Sequence, residues 1–264
     1  MKNGLTRAVG ALVVVGVLLA GCSAAPAGPV HLTVLAASSL SNSLADLSAA
    51  WNTSHPNVSL VTSTGATSAL KTQIEQGSPA DVLLGADTSN AQALIDEGDA
   101  VGPLTKYATN LLTVIVPATN PKGIQTPADL AKPGVCIIGA GPDVPITKYA
   151  TQLVTNLSAR PEYGADFATR YAANVCSQED NVGAVVNKVS LGEGDAAIVY
   201  VTDAKAGQNL ATIDVPADAN VLATYGGAAV KASTNAAAAA DFLTWMRGPE
   251  AQAVLAAHGF GAAP

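Results

Sequence analysis

The sequence predicts an α/β fold in two lobes. Short apolar runs alternate with stretches of helical spacing, as expected of strands covered by helices. Two extended, strand-like runs, at 109–121 and 221–233, interrupt that alternation and read as crossings between lobes. Hydrophobic residues make up 49% of the 264 and charged ones 12%, which describes a packed chain and not a disordered one. Aromatic residues are only 4%, so Ala, Val, Leu and Ile must build the interior.

The segment 31–37, HLTVLAA, reads as a buried strand running into a helix from about Ser38. Leu40, Leu44, Leu47 and Trp51 recur at helical spacing, and Pro56 ends the pattern. The run VSLVTST (58–64) predicts a second strand, followed by a helix from about Ser68 and a stop at Gly77. ADVLLGAD (80–87) and a helix to about Glu97, closed by Gly98, complete a third unit. This alternation predicts mainly parallel sheets flanked by helices. After the first crossing come VCIIG with a helix from about Pro145, NVCSQ with a helix from about Asn181, and AAIVY at 196–200. Two helices, within TNAAAAADFLTWMRG and PEAQAVLAAHG, finish the chain. The expected division is 30–109 for the first part of lobe 1, 110–220 for lobe 2, and 221–264 for a crossing strand and helices returning to lobe 1.

Ahead of the fold, Lys2 and Arg7 precede an apolar run at 8–20, the layout of a secretory signal over 1–21. The closing LAGC resembles the lipobox of bacterial lipoproteins, which implies lipidation at Cys22, a tether over 22–29 and a place on the outer face of the cytoplasmic membrane. The alternative is a cleaved signal with an incidental cysteine. An exported chain favours pairing Cys136 with Cys176, the alternative being two separate buried thiols. No metal centre is expected, because His31, His55 and His258 have no ligand-like spacing to the cysteines or to one another. The net charge of −7 argues against nucleic acid as a partner. It leaves an anionic ligand open, since local dipoles can oppose the global sign.

Hydroxyls sit where strand turns into helix: Ser38 and Ser39 in the first turn, Thr67 and Ser68 after Gly65 in the second. Such residues cap helices by accepting bonds from orphan amides. They also suit an anion site, where two helix N-termini offer N–H groups, a positive dipole end and hydroxyl donors to one crevice at the carboxyl ends of the strands.

LAASSLSNSLADLSAAW, GATSALKTQIEQGSPADVLLGAD, VPITKYATQ, AAIVYVTDA and RGPEAQAVLAAHGFG occur in the order and spacing of the periplasmic molybdate-binding proteins of ABC importers. The resemblance spans the chain beyond the leader. It implies a two-lobed, type II periplasmic-binding-protein fold with the ligand in the interlobe cleft, no enzymatic activity, no cofactor, a monomer, and delivery of molybdate or tungstate to an ABC permease. Carried over position by position, it implies that the oxyanion is held by Ser39, Thr67, Ile146, Asn181 and Tyr200. Those residues would touch molybdenum only through its oxygens. Thr67 stands where serine is usual, Ile146 where alanine is usual, and Asn181 where valine is common. Asp143 and Asp180 flank the implied turns and are expected to point away from an anion.

Two other receptors and one enzyme compete. A sulfate receptor would share the dipole logic and differ in size. An amino-acid receptor would want an arginine for the carboxylate, and Arg160, Arg170 and Arg247 all lie outside the implied ligand turns. A secreted serine hydrolase using Ser39 or Ser68 would need a histidine base and a Gly-x-Ser-x-Gly elbow, and the chain has no such elbow.

Overall fold

The computed structural model describes Met1 and residues 28–264; all of the expected signal 1–21 but Met1, the lipidation at Cys22 and most of the tether lie outside the described residues. The first strand, β1 (Val30–Ala37), ends in a 3-10 turn (Ser38–Leu40) before α1 (Leu44–Ser54). The predicted stripe of Leu40, Leu44, Leu47 and Trp51 is buried along its whole length. β2 (Val58–Gly65), α2 (Thr67–Glu75), β3 (Val82–Gly85) and α3 (Ser89–Glu97) follow the expected alternation. Gly98 closes α3 at φ +84°, a left-handed conformation that glycine adopts without a Cβ penalty.

The extended run at 109–121 proves to be the junction of two strands, β4 (Ala100–Asn110) and β5 (Leu112–Pro117). The second lobe continues with β6 (Ile137–Ala140), α4 (Pro145–Ser158), α5 (Phe167–Ala173), β7 (Val175–Glu179) and α6 (Val182–Ser190). It closes with β8 (Ala197–Tyr200), α7 (Val201–Ala206) and β9 (Leu210–Ile213). The chain then returns through β10 (Ala223–Val230) to α8 (Ala236–Trp245) and α9 (Pro249–Ala257).

The first sheet has the order β2-β1-β3-β10-β4, with β1 parallel to β2 and β3, and β10 antiparallel to both of its neighbours. In the second lobe β6 and β7 are parallel, and β5 runs antiparallel to β8 and β9. A parallel bridge between Ile137 and Ala196 joins these two pieces, giving the order β7-β6-β8-β5-β9. Each lobe therefore has three parallel strands followed by two of mixed direction. The antiparallel intruder, β10 in one lobe and β5 in the other, is the strand that has just crossed over. It enters at the carboxyl ends of the parallel strands, with Leu112 opposite Tyr200 and Gly226 opposite Gly85. Both crossings thus lie at the end of the sheets where a doubly wound fold places its ligand.

Helices returning to the first lobe are tied down by aromatic and polar contacts. Trp51 stacks on His55 and meets Phe242 and Trp245 of α8 edge-on, while its indole N–H donates to Val58 O at 2.9 Å. The buried Asp81 carboxylate accepts from Thr33 N at 2.7 Å and from Ser233 Oγ at 2.5 Å, pinning β1 to the start of the C-terminal helices.

Cys136 and Cys176 are bridged, with Cα atoms 5.4 Å apart, which ties the entry of β6 to its neighbour β7. The bridge closes a separation of 40 residues, for which chain-entropy arguments give about 4 kcal/mol. Replacing both cysteines by serine is expected to lower the unfolding free energy by about 2–5 kcal/mol in urea titrations, with far-UV circular dichroism of the folded state unchanged.

Candidate functional site

A small crevice between the lobes, about 190 Å³ including its mouth, is walled by Ser38, Ser39, Gly65 and Thr67 from one side and by Pro145, Ile146, Val182 and Tyr200 from the other. Among its lining residues none is charged. A larger, mainly apolar cavity lies inside the second lobe between α4 and α5, lined by residues such as Val154, Ala168 and Tyr171. The crevice is the functional candidate because polar groups from four βα turns converge on it.

The first two turns come from β1 and β2. Hydroxyl residues there were candidates for capping or for ligand donation, and neither Ser39 nor Thr67 caps its own helix. The caps are Ala37 and Ala66, which have no side chain that can accept a bond. Thr67 is fully buried, and its Oγ1 accepts from Ala86 N at 3.0 Å. Ser39 Oγ accepts from Tyr225 OH at 3.0 Å. Each hydroxyl is thus used as an acceptor by the protein, and its own hydrogen remains to be donated. The methyl of Thr67 does not narrow the crevice from within: it packs into the space left by Gly85, where an added Cβ would meet Thr67 Cγ2 at 2.8 Å.

The third and fourth turns come from the second lobe. α4 begins with Val144 as an uncapped N-cap and Pro145 at the first helical position, so Ile146 supplies its first backbone N–H. Ile146 is buried in the crevice wall. α6 starts differently, because Asn181 is a genuine cap whose Oδ1 accepts from Ala184 N at 3.0 Å. The structure places Asn181 just outside the lining and Val182 in it. At α2, α4 and α6 the intrahelical ladders begin only with Leu70 N to Ala66 O, Thr147 N to Val144 O and Val185 N to Asn181 O. The amides ahead of those bonds have no backbone partner within their helices, Ala184 N alone being taken up by the Asn181 cap, and three positive dipole ends meet at one place.

Tyr200 closes the wall. It is 1% exposed, and its hydroxyl has no hydrogen-bond partner among the described residues. Burial first, and then the nearby Tyr225, Tyr149, Asp203 and Asp87, push this phenol well above its ordinary range, so it stays protonated and can only serve as a neutral donor or acceptor. An orphaned buried hydroxyl costs about 1–3 kcal/mol, a cost that an incoming acceptor would remove.

Acidic groups keep out of the crevice. Asp143 and Asp180 are exposed and absent from its lining, as the sequence suggested. Besides Asp81, two buried carboxylates are absent from the sequence reading. Asp87 is held by Ser89 Oγ at 2.7 Å and by the backbone and side-chain nitrogens of Asn90. Asp203, on the first turn of α7, has one oxygen with no partner among the described residues. Among the described residues no arginine approaches: Arg160 pairs with Glu162 and Asp218, Arg170 with Asp166, and Arg247 is exposed. No hydrogen bond joins Ser39 or Ser68 to a histidine; His31 meets Ser59, and His258 meets Asp46.

Burial raises the Asp203 carboxyl to about 7 from its usual 3.8. The folded state therefore holds a proton that the unfolded state releases, and stability falls as pH rises from about 4 to about 7. Asp203→Asn is expected to flatten that slope and to stabilise the protein most above pH 7, as read by urea denaturation at pH 5 and pH 8.

The profile of the bacterial extracellular solute-binding protein family matches residues 32–261. The molybdate-binding protein ModA of Mycobacterium tuberculosis is 30% identical over 263 residues, covering 97% of this chain and 96% of its own. Among solved structures, the substrate-binding domain of a putative molybdenum ABC transporter from Clostridium difficile superposes with a TM-score of 0.65 at 25% identity, covering 89% of this chain and all of the other. The sulfate-binding protein SubI of Mycobacterium tuberculosis superposes with a TM-score of 0.74 at 22% identity, covering 88% and 86%, and shares the fold. With its two lobes, its double crossing and a crevice of uncharged donors between them, the chain belongs to the bacterial extracellular solute-binding protein family.

Proposed function

We propose that the protein is an extracytoplasmic receptor that captures molybdate, and equally tungstate, and delivers it to an ABC permease from a lipid anchor at Cys22. The observation that carries this reading is the Tyr200 hydroxyl, buried without a partner among the described residues in a crevice that has no charged wall and is fed by the starts of α2 and α4, which no side chain caps, and of α6, which Asn181 caps. A tetrahedral dianion supplies acceptors in every direction that these donors face. Ser39, Thr67 and Tyr200 donate hydroxyl hydrogens, while Ile146 and the start of α6, at Asn181 and Val182, donate backbone N–H. The likeness to molybdate-binding relatives supports the choice of ion.

A donor-only site explains selectivity as well as affinity. Protonated phosphate brings an OH that would need an acceptor, and the crevice wall holds no carboxylate to take it, only hydroxyls and amides whose hydrogens face the ion. Sulfate satisfies the same donors but is smaller, so it cannot reach all of them at once. Tungstate matches molybdate in size and charge. Neutral donors also leave no mobile counter-charge to be separated at release, so opening of the lobes governs the off-rate.

In thermal melts of protein beginning after Cys22 and freed of ligand, molybdate and tungstate are expected to raise the midpoint while phosphate leaves it unchanged. A hundredfold excess over the dissociation constant corresponds to about 2.7 kcal/mol of stabilisation. Tyr200→Phe is expected to weaken molybdate binding roughly ten- to a hundredfold, the worth of a hydrogen bond to a charged group. A wild-type protein that shifts with none of these anions would sink the proposal.

A further inference from the structure

One side chain at the hinge touches both lobes and leads to the crevice. Asn110 is the last residue of β4, where the chain first crosses. Its Nδ2 donates to Thr202 Oγ1 in the second lobe at 2.8 Å and to Tyr225 OH in the first at 3.3 Å. The amide cannot be flipped without loss, because its Oδ1 accepts from Leu111 N at 3.0 Å. Tyr225 in turn contacts Ser39 Oγ at 3.0 Å. All four side chains, Ser39, Asn110, Thr202 and Tyr225, are buried.

The order of protons along this line follows from the chemistry of its first member. An amide nitrogen only donates, so the Tyr225 oxygen must accept from Asn110. The phenol hydrogen then has Ser39 Oγ as its acceptor, and the serine hydrogen is left over. In the reverse order Ser39 would donate to Tyr225, whose own hydrogen would face a nitrogen that cannot receive it. The Tyr225 ring has little freedom to escape this, being packed edge-on against Tyr107, Tyr200 and Phe260 at 6.0, 5.6 and 5.4 Å.

We infer that Asn110 and Tyr225 are positioning residues of the oxyanion site, aiming the Ser39 hydrogen into the crevice and coupling that aim to the hinge through the bond of Asn110 to Thr202. The inference rests on the oxyanion reading given above. Neither residue touches the ion: Tyr225 acts through Ser39, and Asn110 acts through Tyr225. Because one amide spans Thr202 and Tyr225, lobe opening that separates these partners would also release the serine hydroxyl from its fixed orientation.

The test is a double-mutant cycle read by calorimetric titration with sodium molybdate, using protein that begins after Cys22. Tyr225→Phe is expected to weaken binding about tenfold, because Ser39 loses the bond that orders it. In a Ser39→Ala background the same substitution is expected to change affinity less than twofold. Asn110→Asp keeps the shape but replaces the donor with an acceptor, reversing the line, and is expected to weaken binding at least as much as Tyr225→Phe. It carries the test alone should Tyr225→Phe lose its fold. Equal losses with and without Ser39 would make Tyr225 merely structural and overturn the inference, as would variants that bind within twofold of wild type. Wild-type protein that takes up neither molybdate nor tungstate would instead remove the oxyanion reading, and the positioning role with it.

Discussion

Three helices of this protein begin in a buried crevice with amides that their own ladders leave unused, and the rest of the fold is arranged around that circumstance. Buried N–H groups without acceptors are costly. A structure that gathers them on both sides of one gap is poised for a ligand made of acceptors. The turns after β2, β6 and β7 bring the starts of α2, α4 and α6 there, the turn after β1 adds Ser39, and β8 ends on Tyr200 at the same level. The two crossing strands make this possible, since β5 and β10 each enter antiparallel at the crevice end and place the hinge directly behind it.

The stabilising and the functional parts of the molecule are separable. Trp51 with its aromatic neighbours, the Asp81 cluster and the Cys136–Cys176 bridge all lie away from the crevice and hold elements together without facing it. Near the crevice the rules of good packing are relaxed. Tyr200 OH and one oxygen of Asp203 are buried without partners among the described residues. Departures of this kind gather where a protein binds something, and the surrounding fold carries their cost. Asp203 limits its cost by keeping its proton up to about pH 7, as an uncharged carboxyl instead of a buried charge.

Much of the fold was legible in periodicity. Leu40, Leu44, Leu47 and Trp51 announced a buried helical face, and the runs at 31–37, 58–64 and 80–87 became β1, β2 and β3. Gly102 and Pro103 look like a turn, and they hid the first part of β4, which bears them as a strand. α5 and β9 are too short to show a period of their own. In the site, the hydroxyl turns were visible because they sit at strand-to-helix changes. Whether those hydroxyls capped or donated was not visible, because the answer lies in the partners Ala86 and Tyr225, 19 and 186 residues away. Asn181 shows the same limit in reverse: an asparagine before an apolar helix is a cap, and only the fold shows that its neighbour Val182 forms the wall. Asn110 carried no local signal at all, since its meaning depends on Thr202 and Tyr225 arriving from distant parts of the chain.

The central claim is that a doubly charged oxyanion rests in this uncharged crevice on hydroxyl and amide donors alone. Crystals grown with molybdate and measured at the molybdenum absorption edge would test it most directly. The account predicts one strong anomalous peak between the Ser39, Thr67 and Tyr200 hydroxyls and the first amides of α4 and α6, with every oxygen of the ion within about 3 Å of a donor and no basic side chain in contact. A peak at another place, or one coordinated by lysine or arginine, would contradict it.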